Sequence, residues 1–276
     1  MLLSIEHHSA YRYDQPVGYG LTRLRLAPRN GPLQRVRSWQ LHIEGAVEQV
    51  AYRDQFGNDT RLIAADGLPH LISVTATGEV ETEDAAGVTG PHRGAAPLWL
   101  FQRATALTRP CDRLSELIAP LAGQPLGISG LHDLMARVAE AVAYRIGDTH
   151  AASTAEEVLA QGSGVCQDQA HVFIAAVRAL GAPARYVSGY LCMTDRTEQD
   201  ATHAWAEAHV DGLGWVGFDV ANRICPDARY VQIATGRDYA DAAPITGLRF
   251  GAGSETLDVR LTVAETAAQG MGQQQA

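Results

Sequence analysis

The sequence predicts an α+β protein in two parts, an antiparallel β domain followed by a core of helices and strands. Over residues 2–82, apolar and polar residues alternate in short runs, such as the one that contains Trp39, Leu41 and Ile43. This period of two is typical of β-strands with one buried face. A segment rich in Gly, Pro and Ala follows at 87–97 and indicates a boundary. Beyond it, apolar residues recur at helical spacing before the alternation returns.

Turn signals divide the N-terminal part into several strands. Gly, Pro, Asn and Asp cluster at 29–32, 56–59 and 65–69, and short strands at such intervals predict an antiparallel β-sandwich or a small barrel. The adjacent His7 and His8 invite a metal-site hypothesis. Neighbouring residues of a strand point to opposite faces, so we expect the two imidazoles to diverge. No catalytic constellation is predicted in this part.

Three helices are expected after the boundary. The first is predicted over 112–121, and the second begins near Ser129, a candidate N-cap. The third begins with the capping box from Thr154 to Glu157 and runs towards Gln161. The second helix has an apolar face that carries Leu131, Leu134, Met135, Val138 and Val142.

Cys166 stands at the predicted start of a fourth helix, which spans residues 166–180 and is ended by Gly181 and Pro183. A thiol in the first turn of a helix lies at the positive end of the macrodipole, which favours the thiolate and lowers the thiol pKa. Gly164 leaves room for a substrate carbonyl near the Cys166 N–H. From this stretch alone, a buried core cysteine explains Cys166 as well as a nucleophile does.

The chain then returns to strands. A strand is predicted at 184–191, and a polar loop without apolar anchors follows at 194–200. Residues 203–210 alternate cleanly between two faces. One of these faces carries His203, Trp205, Glu207 and His209, and small apolar residues form the other.

A cysteine nucleophile needs a base within hydrogen-bond reach, and the base works best when a carboxylate orients it. If a tight turn places Val210 opposite Gly214, His203 lies diagonal to Asp219 on the same face of a hairpin. Diagonal neighbours lie about 7–8 Å apart at the backbone, within reach of an imidazole and a carboxylate. The sequence therefore predicts a triad of Cys166 as nucleophile, His203 as base and Asp219 as its orienting group.

Two other histidines are weaker candidates for the base. His171 follows Cys166 by five residues on the same helix, so its side chain points away from the thiol. His209 shares a face with His203 but lies near the turn, far from the level of Asp219. A metal site made of the cysteine, both strand histidines and the aspartate fits no zinc spacing, and zinc would block the nucleophile. No metal or cofactor is predicted.

Several further residues have both a functional and a structural interpretation. Gln161 could assist an oxyanion hole, and Trp205 could line a substrate cleft or belong to the core. Asp168 is explained as a carboxylate near the helix dipole. The remaining cysteines have no basic or helix-terminal setting and are read as inert thiols: Cys111, Cys192 and Cys225.

Composition narrows the classes of partner and compartment. The 276 residues carry a net charge of −9 without a basic cluster, which argues against nucleic acid or an anionic membrane as partner. The four cysteines form no CxxC pair, so reduced thiols are expected. The N-terminus resembles neither a signal peptide nor an anchor, and no stretch has the length of a membrane span. We therefore expect a cytoplasmic location.

Three separated blocks of sequence resemble the bacterial transglutaminase-like proteins. They are Gly164-Val165-Cys166-Gln167-Asp168 with Ala170-His171, then Arg178 to Tyr190, then His203-Ala204-Trp205 with Gly214 to Asp219. The resemblance implies a papain-like α+β core behind an N-terminal β-rich domain. It also implies that Cys166 attacks an amide carbonyl to form a thioester, with His203 moving the proton. Asp219-Val220-Ala221-Asn222 departs from the family's Asp-Pro-Thr-Asn.

The resemblance leaves the reaction open. Water at the thioester gives hydrolysis of a peptide or isopeptide bond, which we expect, and an amine gives protein-glutamine transamidation. A catalytically silent peptide-binding module is a further alternative. The partner is a peptide or protein substrate, and the oligomeric state is not predicted. The expected limits are 1–90 for the β domain, 98–250 for the catalytic core, 251–264 for a C-terminal strand and 265–276 for a disordered tail.

Overall fold

A computed structural model describes residues 1–250 and 253–266 of the chain. Seven strands come first: β1 (Leu2–Tyr13), β2 (Tyr19–Leu24), β3 (Gln34–Glu44), β4 (Ala46–Arg53), β5 (Asp59–Ala65), β6 (Leu71–Thr82) and β7 (Val88–Gly90). Helices and short strands follow: α1 (Asp112–Ile118), α2 (Ile128–Ala141), β8 (Ala143–Tyr144), α3 (Ala155–Gln161), β9 (Ser163–Gly164) and α4 (Cys166–Ala179). The remaining elements are β10 (Ala184–Leu191), β11 (Glu198–Gln199), β12 (His203–Val210), β13 (Gly214–Phe218), β14 (Tyr230–Gly236), α5 (Tyr239–Ala242), β15 (Ile245–Phe250) and β16 (Glu255–Glu265).

Two antiparallel sheets form the predicted β-sandwich. The first sandwich sheet has the strand order β11-β16-β1-β6-β3, and the second has the order β15-β2-β5-β4. Leu24 and Ile63 of the second sheet meet Ile72, Val74 and Ala76 of the first in one apolar cluster. The apolar residues that alternate along the sequence are therefore the residues that face inward between the two sheets.

The core sheet has the strand order β14-β10-β12-β13-β7, and α4 packs on one of its faces. Ala204, Ala206 and Ala208 of β12 lie in the same apolar cluster as Phe173 and Val177 of α4. Small side chains on the strand allow the helix to approach closely, so the helix and sheet form a dense core. The fold is α+β, as predicted.

Strand pairing crosses the two parts of the chain. β7, from the stretch predicted as N-terminal domain, pairs with β13 of the core sheet, whereas β15 and β16 pair with β2 and β1 of the sandwich. The first sandwich sheet also packs on the core sheet, through a cluster that includes Leu3, Ile5, Tyr190 and Val231. The predicted limits at 90, 98 and 250 therefore separate stretches of sequence that exchange strands, and they stay predictions.

Two side-chain amides cover the free edge of β14. Gln34 donates to the Gln232 carbonyl and accepts from the Gln232 N–H, both at 2.8 Å. Asn58 makes the same reciprocal pair with Thr235, also at 2.8 Å for each bond. Each amide satisfies a backbone donor and acceptor as a neighbouring strand would. We call these two pairs, Gln34 with Gln232 and Asn58 with Thr235, the amide clamps. They hold the sandwich against the core sheet.

Some local predictions need correction. The second helix begins at Ile128, with Gly127 as its N-cap, so the prediction of Ser129 as N-cap is wrong. The Leu131 N–H already donates to the Gly127 carbonyl, and this places Ser129 inside the first turn. The C-terminal strand ends at Glu265, one residue beyond the predicted limit at 264, because the Glu265 backbone still pairs with Leu3 of β1. The rest of that tail, at 267–276, lies outside the described residues.

Candidate active site

Cys166 is the first residue of α4 and is half-buried. The first turn of this helix is closed by Asp168, whose Oδ2 accepts from the Val165 N–H at 2.8 Å and from the Thr149 hydroxyl at 2.6 Å. A Cβ at Gly164 would lie only 2.7 Å from that same oxygen, so only glycine fits there. Asp168 therefore contributes more than a charge near the dipole, because its side chain ties the cysteine's helix to the preceding loop.

His203 and Asp219 come together at the open end of the hairpin of β12 and β13. The predicted register is confirmed, with Val210 opposite Gly214 and Ala206 opposite Phe218. His203 is the first residue of β12, and Asp219 directly follows β13. The Nε2 atom of His203 lies 2.6 Å from Oδ2 of Asp219.

The Asp219 carboxylate is fully buried and accepts several hydrogen bonds. The Asn222 side chain donates to it at 2.7 Å, the Asn222 N–H at 3.2 Å and the Tyr230 hydroxyl at 2.7 Å. Burial raises the pKa of Asp219, but the hydrogen bonds from His203, Asn222 and Tyr230, with the His203 charge, outweigh it and hold the pKa below its ordinary value. The carboxylate therefore stays ionised.

The departure from Asp-Pro-Thr-Asn leaves this turn intact. Asp219 and Ile224 form an isolated antiparallel bridge, and Asn222 closes the turn onto the carboxylate from both its backbone and its side chain. Val220, in the place of the proline, is buried in the core cluster. Sequence reasoning did not assign a role to Asn222 or Tyr230. The spacing of three residues from Asp219 could have indicated Asn222, whereas Tyr230 comes from a different strand and leaves no local signal.

His203 also interacts with Cys166. Burial lowers the pKa of His203, but the negative charge of Cys166, hydrogen bonds with both Asp219 and Cys166, and the charge of Asp219 raise it to about 10. Because Nε2 is bonded to Asp219, Nδ1 is the ring nitrogen left for the sulfur. The structure thus brings Cys166, His203 and Asp219 into one chain of contacts, with His203 between the sulfur and the carboxylate.

Two aromatic side chains border this chain of contacts. Trp205 is buried, and its ring lies 6.3 Å from the His203 ring and 5.4 Å from the Tyr230 ring, centroid to centroid. Trp205 therefore packs behind the imidazole. Tyr144 is exposed, and burial followed by the charges of Cys166 and Asp219 raises its pKa, so its hydroxyl lies near the site. Tyr144 was not predicted from the sequence.

Gln161 lies at the end of α3 and is exposed. Its amide donates to the Asp148 carbonyl at 2.9 Å, in the loop that also carries Thr149. The Ser163 hydroxyl bonds to the Asp148 carboxylate at 2.5 Å in the same loop. Gln161 thus helps to anchor the loop beside Cys166, and its role in an oxyanion hole stays a prediction.

The other histidines and cysteines lie elsewhere. His171 is fully buried, accepts from the Tyr239 N–H at 3.1 Å, and has its pKa lowered to about 3 by burial and by Arg178. His209 packs edge-on against Trp215, near the turn. The side chains of His7 and His8 diverge as expected, since His7 contacts the Tyr190 hydroxyl and His8 contacts Thr75. The described cysteines form no disulfide: Cys111, Cys166, Cys192 and Cys225.

Neither a metal cluster nor a membrane helix is found in residues 1–250 and 253–266. No group of three or more His, Cys, Asp or Glu side chains there could hold a metal ion. In the same residues, no helix combines the length and apolar character needed to cross a membrane.

The fold and this arrangement of residues define an α+β protein of the transglutaminase-like class. Residues 117–220 match the transglutaminase-like superfamily, and residues 3–81 match the bacterial transglutaminase-like N-terminal region. The chain belongs to the bacterial transglutaminase-like family.

Relatives match the chain over nearly its whole length. An uncharacterized protein of Mycobacterium tuberculosis is 31% identical, over 94% of this chain and 91% of its own. An uncharacterized protein of Mycobacterium leprae is 29% identical, over 96% of this chain and 99% of its own. The crystal structure of a candidate cysteine protease from Cytophaga hutchinsonii superposes with a TM-score of 0.75 at 24% identity, covering 97% of this chain and 92% of that one. This last likeness concerns the fold.

Proposed function

We propose that this chain is a cysteine enzyme that hydrolyses a peptide or isopeptide bond through a triad of Cys166, His203 and Asp219. The observation that carries the proposal is the position of His203 between two partners. Its Nε2 is bonded to a buried carboxylate at 2.6 Å, and its other side interacts with the sulfur of a helix-terminal cysteine. A nucleophile, a base and an orienting carboxylate in this order are the parts required for acyl transfer.

In the first half of the reaction the Cys166 thiolate attacks the carbonyl carbon of the amide. The new carbon–sulfur bond forms as the carbonyl electrons move to oxygen, and the Cys166 N–H at the start of α4 is available to the oxyanion, since the first N–H groups of a helix have no intrahelical partner. When the carbon–nitrogen bond breaks, the His203 imidazolium gives its proton to the leaving amine. The product is a thioester and a neutral imidazole.

In the second half, neutral His203 removes a proton from water, and the resulting hydroxide equivalent attacks the thioester carbonyl. Collapse of the tetrahedral intermediate breaks the carbon–sulfur bond and releases the acid. The Cys166 thiolate and the His203 imidazolium are restored. Asp219 holds the imidazole in one tautomer and stabilises its charged form throughout.

Hydrolysis is proposed over transamidation because of the kind of protein that shares this fold. The structure from Cytophaga hutchinsonii, similar over 97% of this chain, is described as a candidate cysteine protease. The product experiment below decides the acyl acceptor.

Thiol reactivity tests the triad. The intact protein is treated with iodoacetamide over a range of pH, and labelling of each cysteine is followed by mass spectrometry. Cys166 is expected to react faster than Cys111, Cys192 and Cys225, with an apparent pKa well below about 8.5, the value of a free thiol. Slow or unselective labelling would overturn the triad and favour a catalytically silent peptide-binding module.

The fate of the thioester is tested by the products. Peptides with glutamine, with a backbone amide and with an isopeptide bond are incubated with the protein in ¹⁸O-labelled water, with and without an added primary amine. Hydrolysis predicts ¹⁸O in the new carboxylate and no amine adduct. Incorporation of the amine at glutamine would instead assign transamidation. Cys166→Ala serves as the control and is expected to give neither product.

A further inference from the structure

A cleft lies on the face of the core sheet opposite α4. Its volume is about 830 Å³, within the range of small-molecule sites. One wall comes from the sandwich and includes Arg29, Arg53 and Phe56, and the other comes from the core sheet and includes Arg185, Trp205 and Trp215. Cys166, His203 and Asp219 do not line it. The amide clamps fix both walls relative to each other.

Arg29 lines this cleft without a direct ion pair to any described residue. Its carbonyl accepts from Gln34 at 2.8 Å, so one of the amide clamps fixes its backbone. Its guanidinium lies against Gly57, where a Cβ would be only 2.8 Å from Nη1. In the described part of the chain, this guanidinium makes no ion pair and no side-chain hydrogen bond. Burial, followed by the charges of Arg53 and Arg185, lowers its pKa, and the carboxylates of Asp54 and Asp59 offset part of this effect.

The arginines of the cleft outnumber its free carboxylates. Besides Arg29, Arg53 and Arg93 line it, and neither forms an ion pair with a described residue. The fourth, Arg185, is bonded to buried Glu207 and stacks over Trp215 at 4.3 Å.

Three carboxylates also line the cleft, and two of them are already neutralised. Glu207 is paired with Arg185, and Asp227 is paired with Arg229. Glu83 is the third and is exposed. Among the residues that line the cleft, three arginines without an ion pair thus face one unpaired carboxylate, in a chain whose net charge is −9. A guanidinium presents donors in a planar fork that matches carboxylate and phosphate oxygens.

We infer that this cleft is a binding site for a small ligand that carries two or more carboxylate or phosphate oxyanions. Arg29 and Arg53 are its principal contacts. Trp205 and Tyr230 separate the ligand from His203 and Asp219, so the site is distinct from the proposed active site.

Isothermal titration of the full chain with citrate and, separately, with inorganic pyrophosphate tests the inference. At least one of these anions is expected to bind saturably at a single site. Binding of citrate would indicate a carboxylate ligand, and binding of pyrophosphate would indicate a phosphate ligand. Arg29→Gln is expected to weaken binding at least tenfold. Arg53→Gln, at an exposed position whose change leaves the fold intact, is expected to weaken it at least fivefold. Arg113→Gln, at an exposed position of α1, is the matched control and is expected to change the affinity less than twofold.

Several results would overturn the inference. Absence of saturable binding of both anions to the wild-type chain is one, and an equal loss in the Arg53→Gln and Arg113→Gln variants is another, because it would indicate non-specific charge. Thermal unfolding of each variant verifies that it is folded. If Arg29→Gln fails to fold, the comparison of anion affinity between Arg53→Gln and Arg113→Gln still tests the inference. Neither variant touches the triad, so failure here leaves the proposed hydrolysis standing.

Discussion

At the scale of single residues, burial and charge oppose each other at His203. The imidazole is nearly buried, which disfavours its charged form, yet Cys166 and Asp219 supply negative charge and hydrogen bonds on its two sides. The balance raises its pKa to about 10. At neutral pH the ring is therefore charged, which a thiolate partner requires.

Replacement of His203 should remove the activation of Cys166. In His203→Gln the Cys166 sulfur loses its positively charged neighbour, so labelling by iodoacetamide near pH 6 should fall on the order of 100-fold. His209→Gln is the matched control, because His209 packs against Trp215 and not against the cysteine, and its labelling rate should stay within about twofold of wild type. Equal losses in the two variants would contradict the assignment of the base.

The same residue should make stability depend on pH. A pKa raised from its unfolded value of about 6.5 to about 10 means that the interactions of charged His203 contribute fully below about pH 6.5 and are lost as the pH rises through about 10. The difference in free energy of unfolding between wild type and His203→Gln should therefore be largest near pH 6 and shrink towards pH 10. Urea unfolding at several pH values measures it. A difference that stays constant or grows over this range would contradict the raised pKa.

At the scale of elements, the start of α4 is the feature that presents Cys166. Asp168 bonds to the Val165 N–H and to Thr149, so one carboxylate caps the helix and secures the loop beside the thiol. Helix α3 has a comparable cap at Thr154, with its reciprocal partner Glu157. The two caps differ in position, since only the Asp168 cap of α4 lies next to the candidate nucleophile Cys166.

Removal of the two caps should separate stability from reactivity. Thr154→Ala should cost about 1 kcal/mol of stability, as loss of an N-cap does, and leave Cys166 labelling unchanged. Asp168→Ala should cost about 1–3 kcal/mol, because it also leaves two half-buried donors, the Val165 N–H and the Thr149 hydroxyl, without their acceptor, and should slow labelling several-fold. Thermal unfolding and iodoacetamide kinetics measure the two effects. Labelling that is equally slow in both variants would mean that general destabilisation, not the start of α4, controls Cys166.

At the scale of the whole molecule, the sandwich and the core sheet are joined through the edge of β14. Asn58 is buried, with 1% of its surface exposed, and its amide bonds both to the backbone of Thr235 and to Asp54. Burial of a single amide that satisfies backbone groups on another sheet couples the two parts into one unit. The amide clamps therefore belong to the stability of the whole chain.

Loss of one clamp should destabilise the protein as a whole. Asn58→Ala leaves the Thr235 N–H and carbonyl unpaired in a buried position, which should cost about 2–4 kcal/mol in the free energy of unfolding. Asn30→Ala is the matched control, since its bond to the Val36 N–H is exposed and water can replace it, and it should cost less than about 0.5 kcal/mol. Both are measured by urea unfolding. Similar costs for the two changes would show that the clamp contributes little.

Local sequence was a good guide to elements and to the hairpin. The periods of two and of 3.6 predicted β10, β12 and α4 closely, and the register of β12 and β13 follows from a short turn that leaves few alternatives. The N-cap of α2 was predicted wrongly. A serine near a helix start is a weak signal, and the backbone bond from Leu131 to Gly127 had already begun the helix.

The sequence by itself determined the class of fold, the family and the candidate residues Cys166, His203 and Asp219, because these depend on local periodicity and on short motifs. Only the tertiary structure decided the contribution of Tyr230 to Asp219, the strand exchange of β7 and β15, and the convergence of Arg29, Arg53 and Arg185. Those residues lie far apart in the chain and carry no shared pattern. Contacts between distant segments are set by how whole sheets pack, and a period along one segment contains no information about its neighbour in space.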